Sequence, residues 1–229
     1  MVFSFILSPV AYGAKCCIRN LTFTLALPFS VAGAAYAEPV TIFALGDSLT
    51  AGYGLPDGEG LVPQLNLWLA EQGADVTVLN GGVSGDTSAG GLSRLAWSLT
   101  PEVDAMIVTL GGNDLLRGLQ PSVTRANIEG ILTEAQVRQL PVLLIGMEAP
   151  GNFGPAYKEA FDQLYPELAA QYGAQHIGSY FGLIDPDATD PGQISEFMQA
   201  DGIHPNAAGV KRAVESLGPQ ILTLVDHLD

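Results

Sequence analysis

Basic residues are scarce in this chain: nine Lys and Arg stand against 24 Asp and Glu, a formal net charge of −15 over 229 residues. A surface this acidic repels phosphate backbones and anionic membrane faces, which argues against nucleic-acid binding and leaves solubility as the plain meaning of the charge. Cysteine is nearly absent too. The two copies, Cys16 and Cys17, are adjacent and close to the N-terminus, so the rest of the chain must be held by packing rather than by disulfides. No stretch approaches the roughly 18 consecutive apolar residues of a spanning helix. The phosphate-cradling loops GxGxxG and GxxxxGK[ST] are missing, and so is the GxSxG turn that carries the serine of α/β-hydrolases.

What is present begins with an address. Lys15 and Arg19 precede the apolar run LTFTLALPFSVAGAA, Leu21 to Ala35, and Ala35-Tyr36-Ala37 supplies the small-x-small pattern of a secretory cleavage site. A cut after Ala37 is expected, with export to the periplasm or medium. It would remove both cysteines and two basic residues but no acidic one, leaving 192 residues, 38–229, as one domain with a net charge of −17.

In that domain, apolar β-rich runs alternate with helical periodicities. Strands are expected at Val40 to Leu45, Asp75 to Leu79, Asp104 to Leu110, Val142 to Met147 and, more weakly, Gln175 to Tyr180. Helices are expected at Leu61 to Gln72, Ala89 to Ser98, Val123 to Gln139, Tyr157 to Tyr172 and Pro205 to His227. Near-continuous apolar strands between helices imply a parallel sheet covered on both faces. Ligands of such sheets bind beyond the carboxyl ends of the strands. There the sequence is polar and glycine-rich: Gly46-Asp47-Ser48-Leu49, then Asn80 to Gly91, then Gly111-Gly112-Asn113-Asp114.

Ser48 needs a base to become a nucleophile, and His204 is the histidine best placed to be one. It stands in DGIHPNAAG, Asp201 to Gly209, where Pro205 keeps His204 in extended backbone and can open the last helix. A turn through Gly202 would fold the Asp201 carboxylate onto one imidazole nitrogen and leave the other free. Asp185, Asp187 and Asp190 are rival carboxylates without so short a tie to a histidine. Alternatively, Asp201 and Asn206 only cap that helix. Oxyanion donors are available in the Ser48 N–H at a helix start, the Gly85 N–H and the Asn113 amide.

The segments GDSLTAGYG (46–54), SGDTSAGGLSRL (84–95), LGGNDLLRG (110–118) and DGIHP (201–205) resemble, in order and spacing, the four blocks of the GDSL or SGNH hydrolases. The resemblance spans essentially all of residues 38–229 and is nearest to their secreted bacterial thioesterase, lysophospholipase and arylesterase branch, which is periplasmic and usually monomeric. It implies a flavodoxin-like three-layer α/β/α sandwich around a central parallel five-stranded sheet. It also implies Ser48 as nucleophile, His204 as base, Asp201 as its orienter, and Ser48, Gly85 and Asn113 as oxyanion hole, with no metal or organic cofactor. Asp47, Asp86 and Asp114 are read as turn and capping carboxylates. Leu115 departs from the family pattern, where a glycine follows the Asn-Asp pair; a leucine stiffens that loop and fills part of the pocket. Leu115, Leu116, Pro150, Phe153 and Tyr157 are candidates to line an acyl groove. The expected reaction is ester or thioester hydrolysis of a small acyl substrate through an acyl-enzyme. A carbohydrate acetylesterase and a flavodoxin-like binding protein are the alternatives.

Overall fold

The structure, a computed structural model, describes residues 39–187 and 191–228 together with Ser8 and Gly13. The expected signal, its cleavage site and Asp190 lie outside the described residues. The chain divides into two units, Met1–Ala37 and Glu38–Asp229, and every element below belongs to the second.

Five parallel strands form one sheet: β1 (Val40–Gly46), β2 (Val76–Gly82), β3 (Ala105–Thr109), β4 (Val142–Ile145) and β5 (Gln175–Ile177), in the order β2-β1-β3-β4-β5. All five residues of β3 and all four of β4 are buried, because helices cover both faces and leave no side for polar residues. On one face α2 (Leu61–Glu71) packs against α7 (Ala207–Val225); on the other α5 (Pro121–Val137) packs against α3 (Ser88–Ser98) and α6 (Pro155–Tyr172). In α7, Val210, Ala213, Val214, Leu217, Ile221 and Leu224 are buried at three- and four-residue spacing, each larger side chain contributing about 1.5–3 kcal/mol by its removal from water. This is the flavodoxin-like three-layer sandwich, whose strand order reverses between β1 and β3 and opens a crevice there.

Several boundaries differ from the sequence expectation by one to three residues, β5 for instance ending at Ile177 rather than Tyr180, and two of the differences bear on the site. β2 runs on through Asn80, Gly81 and Gly82, which pair with Ala44, Leu45 and Gly46 of β1. Glycine is needed at this end because a Cβ on Gly82 would lie 2.3 Å from the Ala51 backbone nitrogen, so the strand continues where a turn was expected. The last helix begins at Ala207, not Pro205: Asn206 is the N-cap, its Oδ1 accepting from the Gly209 N–H at 3.1 Å. Pro205 instead sits in an antiparallel bridge with Met198.

Candidate active site

The crevice is built by the turns that end β1, β2 and β3. After β1, Asp47 caps a one-turn helix, α1 (Ser48–Ala51), by accepting the Leu49 N–H at 3.0 Å. Ser48 is therefore the first helical residue, where the N–H has no intrahelical acceptor. After β2, the Asp86 N–H donates to Val83 O at 3.0 Å and Gly85 has φ +84°. That is a type II turn, whose third position requires positive φ and hence glycine. After β3, Gly112–Leu116 form a short helix, α4.

α4 links the other turns. The Asn113 amide donates to Asp47 Oδ2 at 3.2 Å. The buried Asp114 accepts the Ser88 N–H at 2.8 Å and the Ser88 hydroxyl at 2.5 Å, tying α4 to the start of α3. Arg117, the helix's C-cap, donates from Nη2 to Gly85 O at 2.7 Å. Asp86, in turn, pairs with Arg94 at 2.7 Å, and Arg94 donates to Gly46 O at 3.0 Å. Asp47, Asp86 and Asp114 thus serve as cap and tie carboxylates.

His204 arrives from the chain before α7. Gly202, at φ +67°, turns the backbone so that Asp201 Oδ1 accepts the Ile203 and His204 N–H groups at 2.9 and 3.0 Å. Asp201 Oδ2 lies 2.7 Å from His204 Nδ1, and His204 Nε2 lies 2.8 Å from Ser48 Oγ. The histidine's hydrogen bond and then the two backbone N–H groups hold the Asp201 carboxyl down at about 2. It is therefore an ionised acceptor, so Nδ1 carries the proton and Nε2 faces the serine as an acceptor. Asp185 closes its own turn, accepting the Asp187 N–H at 3.0 Å.

The second carboxylate of the site is the opposite case. Burial pushes Asp47 up to about 6, against the pull of the Leu49 N–H, the Asn113 amide and His204.

Ser48, Gly85, Asn113 and His204 all border one cleft of about 460 Å³, together with Leu115, Leu116, Pro150 and Phe153. Tyr157 is not on its wall. Its hydroxyl donates to Leu119 O at 2.7 Å and its ring backs Phe153 with centroids 4.8 Å apart, because the α6 position points it behind the lining layer. Sequence reasoning missed Met147, Phe181, Ile203 and Tyr53 as lining, and Gln199. The Tyr53 ring lies 4.7 Å from the His204 ring. Gln199 braces His204: its backbone N–H donates to His204 O at 2.7 Å, and its side-chain amide donates to Tyr53 O and Pro205 O at 2.8 and 2.9 Å. Tyr53 could have been suspected from its place in GDSLTAGYG. Gln199 carries no sequence signal.

Leu115 is half-buried, helical and on the cleft wall. Leu115→Gly is expected to destabilise α4 by about 1 kcal/mol and to lengthen the space for an acyl chain. A panel of esters of rising chain length should show its optimum moved to longer chains; an unmoved optimum would mean that Leu115 does not bound the groove.

The fold and this arrangement define a hydrolase built on a flavodoxin-like α/β/α sandwich, with a serine, a histidine and an aspartate in line. The chain belongs to the GDSL-like Lipase/Acylhydrolase family, whose pattern matches residues 44–212. It is 39% identical over 190 residues to Esterase TesA of Pseudomonas aeruginosa, an alignment covering 82% of this chain and 91% of that protein. It is 34% identical over 189 residues to Thioesterase 1/protease 1/lysophospholipase L1 of Escherichia coli K12, covering 82% and 86%. Among solved structures it is similar to AlinE4, an SGNH-hydrolase family esterase, at 40% identity and a TM-score of 0.66, covering 82% of this chain and 97% of that one. The chain is an ester-bond hydrolase.

Proposed function

We propose that Ser48 is the nucleophile, His204 its general base and Asp201 the group that orients His204, and that the substrate is a carboxylic ester or thioester with an apolar acyl chain. The observation that carries this is the unbroken series Asp201 Oδ2, His204 Nδ1, His204 Nε2, Ser48 Oγ at 2.7 and 2.8 Å. His204 takes the Ser48 proton as Ser48 Oγ bonds to the acyl carbon. The negative oxygen then meets the Ser48 N–H, the Gly85 N–H and the Asn113 amide. His204 returns the proton to the leaving oxygen or sulfur, the acyl-enzyme forms, and water activated by His204 releases the acid. The residues of this chain suffice for each step, and no metal or organic cofactor is invoked.

A cleft of about 460 Å³ walled by Leu115, Leu116, Pro150, Phe153 and Met147 is larger and more apolar than an acetyl group requires. That favours longer acyl chains over a carbohydrate acetylester, as do relatives named thioesterase and lysophospholipase. Among the described residues no helix is long and apolar enough to cross a membrane. We read residues 1–37 as an export signal and residues 38–229 as a monomeric periplasmic or secreted enzyme.

Labelling with a fluorophosphonate serine probe tests the reading. The wild type should form one adduct, on Ser48, and Ser48→Ala none; undiminished labelling of the variant would overturn the assignment.

A further inference from the structure

Two carboxylates line the cleft, Asp47 and Glu148, and only the first is accounted for. Asp47 is engaged by the Leu49 N–H and the Asn113 amide. Glu148, in the chain that leaves β4, is half-buried and makes neither a hydrogen bond nor an ion pair among the described residues. Lys158, the cation whose charge bears on it, is held by Asp162 Oδ2 and Ala149 O, at 2.7 Å each. Burial raises the Glu148 carboxyl above its ordinary value against the pull of Lys158. A charge so placed costs the fold and returns nothing to it. What it gains comes from whatever enters the cleft.

We propose that Glu148 sets the charge selectivity of the acyl groove, favouring acyl chains that bring a cationic group to its depth and rejecting chains that end there in a carboxylate. The inference rests on the reading of this cleft as an acyl groove beside Ser48. Met147 and Pro150, which flank Glu148 in the chain, lie on the apolar wall of that groove.

Sheet register gives the depth. Gly46 of β1 pairs with Thr109 of β3, and Val108 of β3 with Leu144 of β4, so Gly46, Thr109 and Ile145 are level. Ser48 lies two residues beyond that level and Glu148 three. Two strand spacings of about 4.8 Å separate β1 from β4, which sets Glu148 roughly 10 Å from Ser48. At about 1.3 Å per carbon, an extended acyl chain of about eight carbons spans that distance. An ionised carboxylate accepts hydrogen bonds and donates none, so an ammonium there finds a partner and a second carboxylate finds repulsion. Between apolar walls that repulsion is weakly screened. Nothing on the wall offsets it: no lysine or arginine lines the cleft among the described residues, and His204 works as a neutral base.

The test compares chromogenic esters of octanoic acid, 8-aminooctanoic acid and octanedioic acid, the last as its monoester, all below micelle concentrations. At about pH 8 Glu148 is ionised and the amine protonated. The enzymes are the wild type, Glu148→Gln and Glu148→Lys, and each charged ester is read as its kcat/KM over that of the octanoate on the same enzyme. The wild type should prefer the ammonium chain to the carboxylate chain, by a margin that narrows as salt rises. In Glu148→Gln, close in shape but neutral, the carboxylate ratio is expected to rise about tenfold and the ammonium ratio to fall by a similar factor, the weight of one partly buried charge contact. Glu148→Lys should invert the wild-type order. Ratios unmoved in Glu148→Gln would overturn the proposal and leave the hydrolase reading standing, since the octanoate would still be turned over. Both ratios moving in the same direction would mark a change of groove shape and overturn it too. A wild type inactive on all three esters would overturn the hydrolase reading itself.

Discussion

Ser48→Ala and His204→Ala are each expected to lower kcat by about 10⁶-fold, and the double variant by hardly more, because the residues of such a relay act as one unit. KM should change little, since neither truncation alters the apolar walls of the cleft. Asp201→Asn should cost about 10⁴-fold, and the geometry says why. Asp201 Oδ1 accepts two backbone N–H groups, from Ile203 and His204. An asparagine keeps them only by placing its carbonyl there, which turns its NH₂ toward His204 Nδ1. That nitrogen must then give up its proton, and Nε2 becomes a donor facing Ser48 Oγ, unable to act as base. Steady-state kinetics on a chromogenic ester, with circular dichroism to show an intact fold, would check this. An Asp201→Asn variant within tenfold of wild type would remove Asp201 from the relay. Acidification does not mimic the variant in the working range, because the depressed Asp201 carboxyl ionises at about 2. Its stabilising effect is present above the ordinary value near 3.8 and fades only as pH falls toward 2.

Much of this was legible in the sequence because the relevant constraints are local. Five apolar runs separated by helical periodicities fix a parallel sheet, and the five strands form at those runs. The Asp201 to Pro205 corner is likewise a matter of three residues and one glycine turn, and it closes as the spacing implied. What was not legible depends on partners far away in the chain. Asn80 to Gly82 look like a turn, yet extend β2 because β1 offers a matching edge and α1 needs a neighbour without a Cβ. Pro205 looks like a helix start, yet Asn206 displaces it by supplying a side-chain acceptor for Gly209, as a capping asparagine does. Tyr157 shares the apolar character of Phe153, but its place on α6 puts it behind the wall. Gln199, which braces His204 and Tyr53, has a role that exists only once the fold has formed. The same holds for α4: nothing in GGNDLLRG shows that Asn113, Asp114 and Arg117 reach three different segments.

Asp47→Asn is expected to lower kcat by about 10²–10³-fold, the weight of one oxyanion donor, while making the protein more resistant to unfolding at neutral pH. The Asp47 side chain is 2% exposed, and its two oxygens accept from different partners, Leu49 N–H and the Asn113 amide. An asparagine has one acceptor atom. If it serves Leu49, the end of the first helical turn survives and an NH₂ group meets the NH₂ of Asn113, which must swing away from the cleft. The stability effect has the other sign. Burial raises the folded-state value of Asp47 from 3.8 to about 6, so the folded protein binds this proton more tightly than the unfolded chain does. The contribution is complete below about 3.8 and is lost as pH rises through 6, a change of about 3 kcal/mol. The neutral variant lacks that loss. The difference in unfolding free energy, variant minus wild type, should therefore grow by about this amount between pH 4 and 7 when followed by denaturant titration. A residue that only capped α1 would lose stability and activity together. A gain in one with a fall in the other identifies Asp47 as the group that positions Asn113, and a variant that keeps kcat within threefold would show that Asn113 holds its place without it.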